Sequence, residues 1–289
     1  MKIIKLFITL FILTMLVILP VYFVVKKYRD RPQPQSIVPR EEIDITIIPG
    51  WDLRQIAGDW KTKGLIKNEQ ELYEIVGKPA YNYAIFKEKA PILNFTDNLG
   101  KDLFPLLSTR PNYVSYEGYF FPDTYRIYKD SELHEVLEKV FSNLENKITQ
   151  EMRVEINKQG RNLFQVLNMS ALVEREAQSA EDMAMVADIF WRRLKQNWAL
   201  QSCASVNYVT GKKTPGISAE DQQLDTPYNT YLYPGLPLGP VGNPGITAIK
   251  ATIYPEKNNY WYFMTGNDGQ MRYAITLDQH NTNVYNYLR

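Results

Sequence analysis

Hydrophobic and polar positions change rhythm several times along this chain, and each rhythm predicts a different element. From Leu6 to Val25 there is no charge for 20 residues, about 30 Å as a helix, which matches a bilayer core. Lys2 and Lys5 precede the run, and Lys26, Lys27, Arg29 and Arg31 follow it. No small-x-small cleavage pattern follows, so residues 1–27 are expected to be an uncleaved signal-anchor. Residues 28–42 are charged and carry Pro32, Pro34 and Pro39, which predicts a semi-extended linker. Ile43, Ile45 and Ile47 then alternate with Asp44 and Thr46 as a half-buried strand closed by Pro49-Gly50. Trp51, Leu53, Ile56 and Ala57 begin a short helix that Gly64 can cap. Asn68-Glu-Gln-Glu71 predicts a capping box opening a second helix through Leu72, Ile75 and Val76. Strand, helix and helix make a small βαα module, which with its connector occupies residues 43–113.

Residues 114–289 are expected to form one α+β domain. Asp130 or Ser131 caps a helix bearing Leu133, Val136, Leu137, Val140, Phe141 and Leu144. Ser179 caps another, with Met185, Val186, Ile189, Phe190 and Leu194. Thr210 to Gly245 holds six prolines with Tyr228, Tyr231 and Tyr233, too long a connection to be idle and expected to be part of a site. Tyr260 to Met264 and Met271 to Thr276, separated by Gly266-Asn-Asp-Gly269, read as a β-hairpin, and a helix from Asp278 closes the chain. The fold class is therefore α+β behind one transmembrane helix.

Between these lies an apolar helix that carries two glutamates. Leu163, Val166, Leu167, Met169, Leu172 and Val173 recur at helical spacing and cover most of the circumference. Glu176 continues the stripe of Met169, Leu172 and Val173. Glu174 follows Leu167, Ser170 and Ala171 on a roughly opposite, less apolar side. A carboxyl in apolar surroundings keeps its proton to higher pH and can donate it. The plainer alternative is a helix end, with Arg175 pairing a carboxylate at the rim.

Composition narrows the chemistry. The net charge of +1 gives no long-range field toward nucleic acid. One cysteine, Cys203, permits no internal disulfide and reads as an ordinary buried thiol. Two histidines without HExxH-like spacing predict no metal site, and no cofactor is expected. Twenty tyrosines suit either sugar stacking or an aromatic core.

Several separated segments together resemble the membrane-anchored endolytic murein transglycosylases, the YceG-like or MltG-like group. They are Glu117-Gly-Tyr-Phe-Phe-Pro-Asp-Thr-Tyr125, Ser170-Ala-Leu-Val-Glu-Arg-Glu176 and Ile189-Phe-Trp-Arg-Arg-Leu194. They continue with Leu200-Gln201 and Val206-Asn-Tyr208, then Thr226-Pro-Tyr-Asn-Thr-Tyr231. Gly235-Leu-Pro237, Gly239-Pro240, Asn243-Pro-Gly245, Asp268-Gly269, Thr276 and His280-Asn281 complete the set. Each is weak alone, but their order and spacing are specific. The module from Ile45 to Gly77 looks like the LysM-like subdomain of this group, in a shortened member with one copy.

The resemblance implies that Glu176, the second glutamate of a Glu-basic-Glu motif, is the catalytic acid, in agreement with the helical stripe. It implies cleavage between N-acetylmuramic acid and N-acetylglucosamine to leave 1,6-anhydro ends. Glu117, Gln201, Asn229 and Tyr231 are then expected around the cleft as substrate-binding groups. Asn243-Pro-Gly245 is expected to shape its wall, and His280 to be a structural hydrogen-bonder. The expected partners are peptidoglycan glycan strands, the cytoplasmic membrane and peptidoglycan synthases. The flanking lysines and arginines taken alone favour a cytoplasmic C-terminal side; the substrate's location implies an extracytoplasmic one. Arg192 stands where the family usually has asparagine, Cys203 where aspartate is common, Leu238 for a proline and Met271 for a histidine. Two other readings stay open: a glycan-binding adaptor using the same cleft, and a muramidase-type hydrolase. The hydrolase needs a second carboxylate to activate water, for which Glu117, Asp123 and Glu174 are candidates.

Overall fold

The computed structural model describes residues 2–29, 39–80, 104–212, 214 and 216–288. Most of the expected linker, residues 30–38, and much of the expected connector, residues 81–103, lie outside the described residues. Two compact units are present, Met1–Arg40 and Glu41–Arg289. The first contains helix α1, Lys2–Arg29, whose Phe11–Arg29 portion is long and apolar enough to cross a membrane. Its apolar side chains, Phe11, Leu16 and Val21 among them, are exposed.

In the second unit, β1 (Glu42–Thr46) is followed by α2 (Leu53–Thr62) and α3 (Glu69–Val76). The strand pairs antiparallel with β2 (Thr124–Tyr128), in a register that sets Ile43 against Ile127 and Ile45 against Tyr125. The expected βαα module is thus closed into βααβ by a strand from beyond residue 113. Its core is shared as well: Ile45, Leu53 and Trp60 lie in one apolar cluster with Phe120, Phe141 and Leu167. A division at residue 113 therefore separates no compact units; it cuts a sheet and a core.

Helix starts follow local chemistry, with two departures. At α2 a capping box does form, one helix earlier than expected. Asp52 Oδ1 accepts from the backbone of Arg54 and Gln55, and Gln55 Oε1 accepts from Asp52 N at 3.1 Å. At Asn68 the expected box is absent, because Glu71 accepts instead from Lys67 N at 3.1 Å and from Asn68 Nδ2 at 3.3 Å. The next helix, α4 (Leu133–Lys147), begins from Glu132 rather than Asp130 or Ser131.

After α5 (Gln150–Lys158) comes α6 (Leu163–Glu176), opened by a box between Asn162 and Gln165. This helix joins the two apolar clusters of the described residues. Leu163, Val166 and Leu167 enter the first, and Met169, Leu172 and Val173 enter the second with Val186 and Phe190. Helices α7 (Ala180–Lys195) and α9 (Ile246–Ile253) pack on it. The side of Leu167, Ser170 and Ala171, expected to be less apolar, is buried too. Helix α8 (Cys203–Thr210), the hairpin β3 (Tyr262–Thr265) with β4 (Met271–Ala274), and α10 (Leu277–Leu288) complete the unit.

Candidate active site

The C-terminal end of α6 opens onto a cavity of about 880 Å³. Its walls come from the turn before α8, the proline-rich segment, the hairpin and α10, with Glu176, Gln201, Tyr231, Tyr262, Met271 and His280 facing it. Glu176 is the last residue of α6 and is half-buried. Its Oε1 accepts from Ser202 Oγ, while its Oε2 has no hydrogen-bond partner among the described residues. Burial pushes this carboxyl above the usual range, against the Ser202 hydroxyl and the positive charges of Arg175 and Arg193.

Each of those neighbours is itself fixed. Ser202 N donates to Thr230 Oγ1 at 3.0 Å, and Ser205 Oγ donates to the Ser202 carbonyl at 2.9 Å. The Arg193 guanidinium donates to the carbonyls of Trp261 and Leu200, both at 2.6 Å, which holds a buried cation beside the acid. Gln201 has φ +56°, a left-handed backbone that a residue with a Cβ adopts only at a cost of order 1 kcal/mol. A backbone bond from Gln201 N to Thr230 O at 2.9 Å maintains that twist, and the side chain is exposed at the cavity.

The expected site residues therefore divide. Glu176, Gln201 and Tyr231 converge on one cavity. Asn229 lies behind it, 1% exposed. Its Nδ2 donates to the carbonyls of Gln222 at 3.0 Å and Leu224 at 2.8 Å, and its Oδ1 holds Tyr231 N at 2.9 Å. Glu117 is not among the cavity residues and is 2% exposed. Its carboxylate accepts from Leu53 N at 3.0 Å, Tyr208 OH at 3.0 Å and Asn243 Nδ2 at 2.7 Å. Desolvation and the negative charge of Asp52 push its pKa up to about 8, despite the bonds from Leu53 and Tyr208.

Asn243 ties this network to the cavity. Its Oδ1 accepts from Gly118 N at 2.8 Å and Phe120 N at 3.0 Å, and its Nδ2 also donates to the Trp51 carbonyl at 2.9 Å. Two residues on, Gly245 N donates to Glu174 Oε2 at 2.8 Å. Glu174 faces the same cavity as Glu176, and burial raises its pKa against that bond. Asp123, by contrast, is exposed and engaged with Thr124 N, Asn143 and Lys147, away from the Glu176 cavity.

Other expectations change. Arg175 makes no ion pair among the described residues and only a 3.4 Å contact to the Gly50 carbonyl, so the rim-pair alternative is not formed. Cys203 is half-exposed on the cavity wall, 3.1 Å from Tyr231 OH. His280 stacks on Tyr262 with centroids 5.5 Å apart, and its Nδ1 has no partner among the described residues. It is therefore a wall group rather than the expected hydrogen-bonder, and burial together with Arg193 lowers its pKa. Arg192 lies off the cavity, bonded to Asp188 at 2.9 Å and Asn258 at 3.0 Å and packed over Trp261. Sequence reasoning missed Ser202 and Arg193; both sit inside or beside the motifs that were singled out. Among the described residues no three His, Cys, Asp or Glu side chains come together as metal ligands.

Comparison with known proteins bears on this arrangement. The chain is 29% identical over 245 residues to an endolytic murein transglycosylase of Bacillus subtilis (strain 168), covering 84% of this chain and 65% of that protein. It is 30% identical over 174 residues to an endolytic murein transglycosylase of Streptococcus pneumoniae serotype 2, covering 58% of this chain and 31% of that protein. It thus spans less than two thirds of these relatives. The crystal structure of a yceG-like protein from Listeria monocytogenes superposes with a TM-score of 0.68 at 25% identity, over 85% of this chain and 76% of that one. Residues 24–286 match the family model itself, and the chain belongs to the YceG-like family.

Proposed function

We propose that this protein is a membrane-anchored lytic transglycosylase that cleaves peptidoglycan strands internally, between N-acetylmuramic acid and N-acetylglucosamine. The observation that carries this reading is Glu176: a desolvated carboxyl on a cavity wall, with one oxygen held by Ser202 and the other unpartnered among the described residues. Protonated Glu176 donates its proton to the glycosidic oxygen as the bond to the muramoyl anomeric carbon breaks. The resulting carboxylate takes the proton from the muramoyl 6-hydroxyl as that oxygen closes on the same carbon. The proton lost in the first half is regained in the second, so one residue suffices. Gln201 and Tyr231 contact the sugars, while Asn229 and Glu117 hold the walls from behind.

Of the three carboxylates considered for activating a water, Glu117 and Asp123 are not on this cavity, and Glu174, which is, has Oε2 committed to the Gly245 N that fixes the wall; the Glu174→Gln variant decides its part. That favours the intramolecular attack over hydrolysis. The βααβ unit of β1, α2, α3 and β2 reads as a LysM-like subdomain, and α1 as the anchor, with the second unit outside the cytoplasmic membrane beside the peptidoglycan synthases. Mass spectrometry of digested peptidoglycan tests the reading. The wild-type protein should yield anhydro ends and Glu176→Gln none. Reducing ends instead indicate a hydrolase, and no new ends an adaptor. An alkaline phosphatase fused after Arg289 should be active; activity only from a cytoplasmic reporter overturns the topology.

A further inference from the structure

Beside the Glu176 cavity lies a second one of about 470 Å³, whose walls include Asp52, Arg54, Gln55, Tyr208 and Lys212. Arg175 lines both cavities and so stands between them, next to Glu176 at the end of α6. Their characters differ. The second carries three cations. Arg54 is clamped by Asp52 at 2.6 Å and by the Tyr208 carbonyl at 2.6 Å, with its guanidinium over the Tyr208 ring. Its Nη1 is left without a partner among the described residues. Lys212 pairs with Asp221 at 2.7 Å. Arg175 is exposed and makes no ion pair among the described residues, so its charge is the unbalanced one.

We infer that this second cavity binds a carboxylate of the peptide arm carried by the muramoyl sugar, so that the protein prefers glycan with its stem peptides attached. The inference rests on the function proposed above. With its lactoyl carboxyl held in amide linkage the sugar backbone carries no charge at neutral pH; the peptide on that linkage does. A ligand that reaches from the acid to Arg175 and on toward Arg54 is therefore a sugar continued by an anionic branch. The pre-anchored Arg54, through its remaining Nη1, and the exposed Arg175 guanidinium suit a carboxylate. Occupation also neutralises the Arg175 charge that opposes protonation of Glu176, so a correctly loaded strand favours the acid form.

The test compares two substrates: strands with intact stem peptides, and the same strands stripped by an amidase. Stripping leaves a carboxylate on the lactoyl group beside the ring but removes the peptide carboxylates that extend toward Arg175 and Arg54. A charge-assisted hydrogen bond from a partly exposed arginine predicts about a tenfold higher kcat/KM for the stem-bearing strands. In Arg175→Gln that ratio should fall close to one, and Arg175→Lys should keep part of it. An effect on folding or on Glu176 alone lowers both rates together and leaves the ratio unchanged. A wild-type ratio near one, or a ratio that Arg175→Gln leaves intact, overturns the inference while leaving the proposed cleavage standing. If neither substrate is cleaved, the proposed function fails, and titration with muramoyl tripeptide still reads the cavity. Salt-sensitive binding lost in Arg175→Gln supports the inference, and absence of binding to wild-type protein overturns it.

Discussion

Glu117 offers the sharpest quantitative test of how this molecule is held together. It is a fully enclosed carboxyl whose pKa is pushed up to about 8 from 4.5. The folded protein therefore holds this proton to higher pH than the unfolded chain. The associated stabilisation is complete below the unfolded value and is lost as pH rises toward about 8. The full shift corresponds to about 5 kcal/mol at ~1.36 kcal/mol per unit, and relaxation around the charge brings the expectation to ~2–5 kcal/mol. Glu117→Gln cannot ionise, so it removes that dependence. It also turns one carboxylate oxygen into a donor facing either Asn243 Nδ2 or Leu53 N, which are donors already. That mismatch costs ~1–3 kcal/mol at every pH. The variant should thus be the less stable protein at pH ~5, and the difference should shrink or reverse by pH ~9. Urea unfolding of the chain from Glu41 onward, followed by fluorescence of tryptophans such as the buried Trp60, measures it. Parallel pH–stability curves for the two proteins refute the argument.

Other expectations follow from single contacts. Glu176→Gln should lower anhydro-end formation by at least ~10²–10⁴-fold with an unchanged melting curve, because one group performs both proton transfers. Wild-type activity should fall as pH rises through the raised pKa of Glu176, and a rate that climbs steadily with pH argues against an acid role. Glu174→Gln should weaken but not abolish cleavage, since its loss loosens Gly245 rather than removing the acid; a dead Glu174→Gln beside an active Glu176→Gln reverses the assignment. Gly118→Ala should destabilise by more than ~1 kcal/mol, as φ is +88° and the added Cβ would sit 2.6 Å from Pro240; an unshifted melting temperature contradicts this. Deleting residues 1–113 should leave an unfolded chain by circular dichroism, because Ile45, Leu53 and Trp60 leave the core and β2 loses its partner.

What was legible in the sequence was whatever repeats locally. The apolar period of Leu163 to Val173 predicted α6, alternation predicted β1, and the Gly266-Asn-Asp-Gly269 turn between two apolar runs predicted the hairpin. The same period singled out Glu176, because a carboxylate on an apolar stripe is conspicuous. Partnership across distance was not legible. Nothing in Ile43 to Ile47 says that its partner lies at Thr124–Tyr128, so the module seemed to end at residue 113. Glu117 was expected in the cleft because its neighbours resemble a family motif, and a motif does not distinguish a residue that touches substrate from one that holds the wall. Its three donors come from Leu53, Tyr208 and Asn243, segments no local pattern connects. Asn68 and Glu71 had the right residue types for a capping box, but Lys67 N competed for the carboxylate.

The Asn243 junction has a consequence for the order in which the molecule can be made. Its side chain joins Trp51 to Glu117 across 192 and 126 residues of chain respectively, and Gly245 reaches back 71 residues to Glu174. Contacts of such separation form only after long loops close, which slows folding and delays it until the distant segment is available. A chain still being synthesised therefore has β1, α2 and the whole of α6 in hand, yet lacks the residues that seat Glu117 and Glu174. The cavity wall closes later still, once the hairpin and α10 have followed residue 245. A nascent or prematurely terminated chain carries Glu176 without the cavity around it.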